Sequence, residues 1–162
     1  MVRAGLLFVV LGLAVALDLG TKAWAEASLT LHQPYAVLGE ALRFTLGYNR
    51  GVAFGLLAGA GFVPLLASGA IIVGLLAWTL RRTLQPDAST VQTLLLGLVI
   101  GGALGNFLDR LRDGIVTDFL DLGLGALRWP TFNLADAFIV GSLLVLFLAS
   151  AAKRRTVAEA DT

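Results

Sequence analysis

Four long apolar runs divide this chain, and charged residues enter them at few places. Leu6 to Leu17 continues through Trp24; Phe62 to Leu80, Val91 to Leu108 and Leu134 to Ala152 follow. Each approaches or reaches the ~20 residues that cross a ~30 Å hydrocarbon core. The pattern predicts helices at 4–24, 62–80, 91–108 and 134–152. Residues 81–90, with Pro86 and Asp87, read as a turn between antiparallel helices, whereas 26–61 and 109–131 are long loops. In the first loop, Leu42-Arg43-Phe44-Thr45-Leu46-Gly47-Tyr48 alternates with the period of a half-exposed strand. Asn49-Arg50-Gly51 is a turn signal after it, and Val52-Ala53-Phe54 is expected to return as a second strand. The tract Gly55 to Gly61 suits a hinge or interfacial contact, and 156–162 reads as a disordered polar tail.

Lys and Arg give these spans a direction. Arg3, Arg81-Arg82 and Lys153-Arg154-Arg155 fall on one side of four alternating helices, which the positive-inside rule makes cytoplasmic, with both termini there. Arg3 before an apolar stretch and Ala14-Val15-Ala16 also resemble a cleavable leader. Three further spans, and a helical pattern continuing through Asp18 and Lys22, predict a retained helix instead. The fold expected is an all-α membrane protein: one domain of four transmembrane helices with a small extracytoplasmic β-sheet cradle.

Composition narrows the chemistry. With 57% hydrophobic and 14% charged residues and a mean hydropathy of +0.85, the chain lies outside the soluble class. It has no Cys, so disulfides, thiolate metal sites and a Cys nucleophile are out. A single His32 argues against a His-based triad or a multi-histidine zinc site. No nucleic-acid signature is present. No cofactor or metal is expected.

Carboxylates at the edges of apolar runs are costly, and such residues mark functional cavities. Asp18 and Lys22 lie at i and i+4 and can pair, with Lys22 snorkelling or supporting a site. Gly97, Gly101 and Gly105 form a small-residue face for close helix packing. Asn106, Asp109 and Arg110 emerge from the same end; Arg110 offers a planar fork and Asp109 is its natural neighbour. Asn133 and Asp136 share a face at the start of the last helix. Asp118 lies in Ile115 to Asp121, a loop that apolar neighbours would press onto the membrane. Paired aspartates are the best candidates for hydrolytic chemistry, because two close carboxyls share one proton. The ionised member can take a proton from water, and the protonated one can stabilise an oxyanion.

Five motifs carry a resemblance. They are Asp18-Leu19-Gly20-Thr21-Lys22, Asn49 to Phe54, Gly101 to Arg110, Val116-Thr117-Asp118-Phe119 and Phe132-Asn133-Leu134-Ala135-Asp136. In this order they resemble the lipoprotein signal peptidase (signal peptidase II) family. The resemblance implies an aspartic endopeptidase of the bacterial inner membrane that cuts prolipoproteins before a diacylglyceryl-modified cysteine. It makes Asp118 and Asp136 the catalytic pair. Asp18, Lys22, Asn49, Gly51, Asn106, Asp109, Arg110, Asn133 and Ala135 become substrate-binding or supporting residues. Diacylglyceryl prolipoproteins, membrane lipids and globomycin-type inhibitors are the implied partners, and a monomer is expected. One departure is Leu19-Gly20, where a Gln is common in the family.

Two other classes fit parts of the pattern. A proton-coupled transporter would also put Asp18, Asp109 and Asp136 near a membrane cavity, but normally near the midplane between repeats; here there is no repeat and the acids gather at one face. A noncatalytic lipid- or peptide-binding scaffold would explain the apolar loops but not two partly buried aspartates.

Overall fold

The computed structural model describes residues 2–50 and 63–160. In chain order the elements are α1 (Val2–Ser28), β1 (Pro34–Leu38), β2 (Leu42–Asn49), α2 (Val63–Thr83), α3 (Thr90–Asp113), β3 (Val116–Leu124), β4 (Leu127–Arg128) and α4 (Leu134–Ala160). All four helices contain segments long and apolar enough to cross a membrane. Gly51, the expected strand at 52–54 and the hinge tract at 55–61 lie outside the described residues.

α3 is the central helix, packing against α1, α4 and α2. Its small-residue face meets α1 as expected. A Cβ added at Gly101 would lie 2.7 Å from Ala14 Cβ and 2.8 Å from the Leu11 carbonyl oxygen, so glycine permits this approach. Ser89 caps the start of α3, its side chain accepting the Gln92 N–H. Gly114, at φ 79°, ends the helix in the left-handed conformation and donates to the Arg110 carbonyl.

The helices outrun the apolar runs. α1 continues to Ser28 and α3 to Asp113, because polar residues after an apolar run can continue a helix where water satisfies them. The tail expected to be disordered from 156 is helical as far as Ala160, in a stretch rich in alanine and long-chain residues that favour helix.

The strands form one antiparallel sheet in the order β1-β2-β3-β4. β2 is the strand the alternation predicts, but among the described residues its partners are β1 and β3. β1 returns to β2 through a turn with Gly39 at φ +53°. β3 adds to the expected 109–131 loop a strand that was not read from the sequence: Asp118 stands on it, opposite Gly47 of β2. The first four residues of β3 are all buried, so the strand lacks the alternation that marks a half-exposed one.

The sheet rests on the end of α1. Ala25, Leu46 and Phe119 form a buried cluster, with Phe44 and Leu120 packed against it. Trp24 meets Phe44 and Phe119 edge-on, with ring centroids 5.1 and 6.1 Å apart. A separate bridge joins the sheet to α4: the Phe132 N–H donates to the Leu120 carbonyl at 3.0 Å, and its carbonyl accepts from Leu120 at 2.8 Å. This pairing brings the residue before Asn133 to within two positions of Asp118.

Candidate active site

The site begins with the way α4 starts. Asn133 precedes the helix, and its Oδ1 accepts the Asp136 N–H at 3.0 Å. In return Asp136 Oδ2 accepts the Asn133 N–H at 3.3 Å. This reciprocal pair is a capping box, here Asn-Leu-Ala-Asp. Asp136 is therefore held in place by its own helix end, where a negative charge is also favoured.

Another N–H at that helix end has a distant partner. Ala135 donates its backbone N–H to Asp18 Oδ1 of α1 at 2.9 Å. Ala135 thus contributes its backbone to the site. Asp18 and Lys22 do pair, at 2.6 Å, but both are buried and Lys22 does not snorkel. Lys22 Nζ also donates to Asn106 Oδ1 at 2.7 Å and pairs with Asp109 Oδ2 at 2.9 Å. Three acceptors match the three N–H donors of an ammonium. Asp109, expected beside Arg110, pairs with Lys22 and accepts the backbone N–H of Thr117, and its charge also acts on Arg110. The departure at Leu19-Gly20 falls off this face: Gly20 is exposed, and a Cβ there would meet nothing.

Lys22 also dictates how Asn106 points. With its oxygen facing Lys22 and the Asn133 amide, Asn106 turns its Nδ2 to Asp136 Oδ1, 2.9 Å away. Asn133 is fixed likewise, because its oxygen is held by a backbone N–H. Its Nδ2 then donates to Asp118 Oδ1 at 2.8 Å and to Asn106 Oδ1 at 3.1 Å. Each aspartate thus receives one amide donor. The Asn49 side chain adds a bond to Asp118 from β2.

Burial, reinforced by the nearby charge of Asp136, pushes the Asp118 carboxyl up to about 7. The bonds from Asn133 and Asn49 and the charge of Lys22 oppose that rise without cancelling it. The Arg110 guanidinium, whose Nη1 donates to the Asn106 carbonyl at 3.3 Å, faces the charges of both aspartates.

Asp118, Asp136, Asn49, Asn106 and Arg110 line one cavity of ≈ 1210 Å³. Its walls run down between α2, at Ala67 and Ile71, and α4, at Ile139 and Val140. The lining also includes His32, Trp129 and Thr131, which the sequence did not single out as site residues. Their signal was weak, since each is a single residue in a loop rather than an acid against an apolar run. Among the described residues, no group of three or more His, Cys, Asp or Glu side chains is placed to hold a metal ion. The arrangement suits proton exchange between two carboxyls next to a polar strip, within a cleft that is otherwise apolar.

Comparison with known proteins points the same way. The family model described as Signal peptidase (SPase) II matches residues 10–152. The chain is 40% identical over 137 residues to the lipoprotein signal peptidase of Syntrophomonas wolfei, covering 84% of this chain and 87% of that protein. It is 42% identical to that of Xanthomonas euvesicatoria pv. vesicatoria, covering 82% and 77% respectively. A solved bacterial membrane enzyme at 2.3 Å resolution superposes with a TM-score of 0.78 at 25% identity, covering 93% of this chain and 90% of that one. A second, at 1.9 Å, gives 0.73 at 26% identity, covering 90% and 92%.

Proposed function

The chain belongs to the signal peptidase II family, whose activity is removal of signal peptides from prolipoproteins, and we propose that it acts as an aspartic endopeptidase through Asp118 and Asp136. It is a multi-pass membrane protein that processes prolipoproteins. One observation carries the assignment of chemistry. Two carboxyls from separate elements, each with its own asparagine donor, face the same cavity beside Arg110.

Two carboxyls this closely coupled hold one proton between them. The ionised member takes a proton from a water molecule as that water attacks the scissile carbonyl. The protonated member donates to the oxygen that becomes negative, and later the proton passes to the leaving amine. Asn106 and Asn133 keep the two carboxyls oriented, and Asn49 reaches Asp118 from the neighbouring strand β2. Arg110 is placed to hold a substrate carbonyl with its planar fork. Asp18, Lys22 and Asp109 support the pair without touching it, and Ala135 acts through its backbone. Gly51 enters on its motif alone.

The apolar walls of α2 and α4 suit a substrate arriving from within the bilayer. A diacylglyceryl-modified cysteine next to the cut fits such a cleft, as would globomycin-type inhibitors. The sheet then lies on the extracytoplasmic side of the bacterial inner membrane, both termini lie inside, and the enzyme works as a monomer among membrane lipids. The test is to incubate purified protein with a diacylglyceryl-modified prolipoprotein peptide and with its unlipidated twin. Mass spectrometry is expected to find one cut, immediately before the lipidated cysteine, and none in the twin. Equal cutting of both peptides contradicts the lipid-dependent reading.

A further inference from the structure

On α1 the residues at 18, 22 and 26 follow one another at four-residue spacing and share one face of the helix. Lys22 holds the middle of this row. The carboxylates on either side of it reach two different elements. Asp18 grips the backbone N–H of Ala135, the residue just before Asp136. Glu26 Oε1 accepts the hydroxyl of Thr117 at 2.5 Å, and Thr117 is the residue just before Asp118. At ~1.5 Å of rise per residue, the two grips stand about 12 Å apart along the helix.

Thr117 is held from two sides. Its side chain is buried against Glu26, and its backbone N–H donates to Asp109 Oδ2 at 3.3 Å, the same oxygen that pairs with Lys22. On its outer side, Glu26 Oε1 is met by Arg112 Nη2 at 3.1 Å, and Arg112 also pairs with Asp113. A hydroxyl-to-carboxylate bond this short belongs to the charge-assisted class, about twice as strong as a neutral one.

We propose that Glu26 and Thr117 are positioning residues for the dyad: their bond sets where β3 presents Asp118, as the Asp18–Ala135 bond sets where α4 presents Asp136. α1 then fixes the separation of the two carboxyls. The inference rests on the peptidase reading and adds two residues to it. A catalytic group displaced by about 1 Å can cost on the order of a hundredfold in rate. The separation also controls how strongly Asp136 opposes ionisation of Asp118. The charges facing Asp118 are Asp136 on α4, Lys22 on α1 and Arg110 on α3, with neutral Asn133 and Asn49 bonded to it. Thr117→Val removes none of these and keeps the backbone bond to Asp109.

The test is the pH dependence of kcat and KM for the lipidated peptide, measured on the full-length protein in detergent. Thr117→Val is expected to lower kcat about tenfold or more, with KM within about twofold. It should also move the high-pH decline in kcat to lower pH, because a slack strand weakens the repulsion from Asp136. Thr117→Ser, which keeps the hydroxyl, should retain the wild-type rate and profile. Glu26→Ala should match Thr117→Val, and it carries the same test if the valine variant does not fold. Wild-type kcat and profile in Thr117→Val or Glu26→Ala would overturn the proposal, as would a lower rate with an unmoved pH profile. Failure of the peptidase reading itself looks different: the wild type does not cut, or Asp118→Asn remains active.

Discussion

Asp118 ionises with difficulty for two reasons, and substitution separates them. Burial is the larger cause and the charge of Asp136 the next. Below about 7 the carboxyl keeps its proton, and above it the proton leaves. Cleavage that needs one shared proton should therefore decline as pH rises through that value, because both carboxyls become ionised. In Asp136→Asn the repulsion is gone but the burial stays. The Asp118 carbon-13 carboxyl resonance in labelled protein should then titrate at lower pH than in wild type, yet above the ordinary carboxylate range. An unchanged midpoint would mean that the two groups are not coupled. Lys22 neutralises two buried carboxylates at once. Lys22→Met leaves Asp18 and Asp109 buried without their common cation, a loss of about 3–5 kcal/mol. A large fall in the thermal midpoint in detergent would register it. Asp136 was legible as a candidate because a carboxylate at the edge of an apolar run needs a reason to be there, and Asp118 only as its partner; the fold brings both to one cavity. Thr117 and Glu26 offered no such signal: a threonine beside an aspartate and a glutamate at a helix end are ordinary until the fold joins them.

Helix packing ties these residues to one another. Gly105 of α3 lies directly against the Asp18 carboxylate, and a Cβ there would contact Asp18 Oδ2. That oxygen cannot swing aside freely, since Lys22 holds it and the neighbouring Oδ1 caps α4. Gly105→Ala should therefore cost about 1–3 kcal/mol through overpacking and should reduce cleavage by disturbing the start of α4. Gly20→Ala, where an added Cβ meets nothing, should leave both the melting temperature and the rate near wild type. Equal behaviour of the two variants would contradict the packing account. The small-residue face of α3 was readable from its four-residue spacing, and so were the four helices and β2. β3 was not, because its buried start erases the alternation and its partner β2 is about seventy positions away in the chain. The pairing of Asp109 with Lys22 was hidden for a related reason. Local spacing offered Arg110, whereas the fold supplied Lys22 from another helix.

Across the whole molecule, the dyad lies at one end of the helical bundle, where the sheet, the end of α3 and the start of α4 meet. The connection between α2 and α3 lies at the other end. Since the chain has no cysteine, single cysteines can report which end faces which side. Gln33 and Asp87 are exposed at opposite ends. In intact spheroplasts a membrane-impermeant maleimide should label Gln33→Cys directly, and Asp87→Cys only after the membrane is opened. The reverse pattern would invert the proposed orientation. The central claim concerns the carboxyl pair, and its most direct test is cleavage of a diacylglyceryl-modified prolipoprotein peptide by purified wild type, Asp118→Asn and Asp136→Asn. Each substitution removes one ionisable carboxyl while keeping its size, so each variant should remain folded and bind substrate yet lose turnover by at least about a hundredfold, the lower end expected for a lost acid–base group. Near-normal turnover in either variant would contradict the dyad.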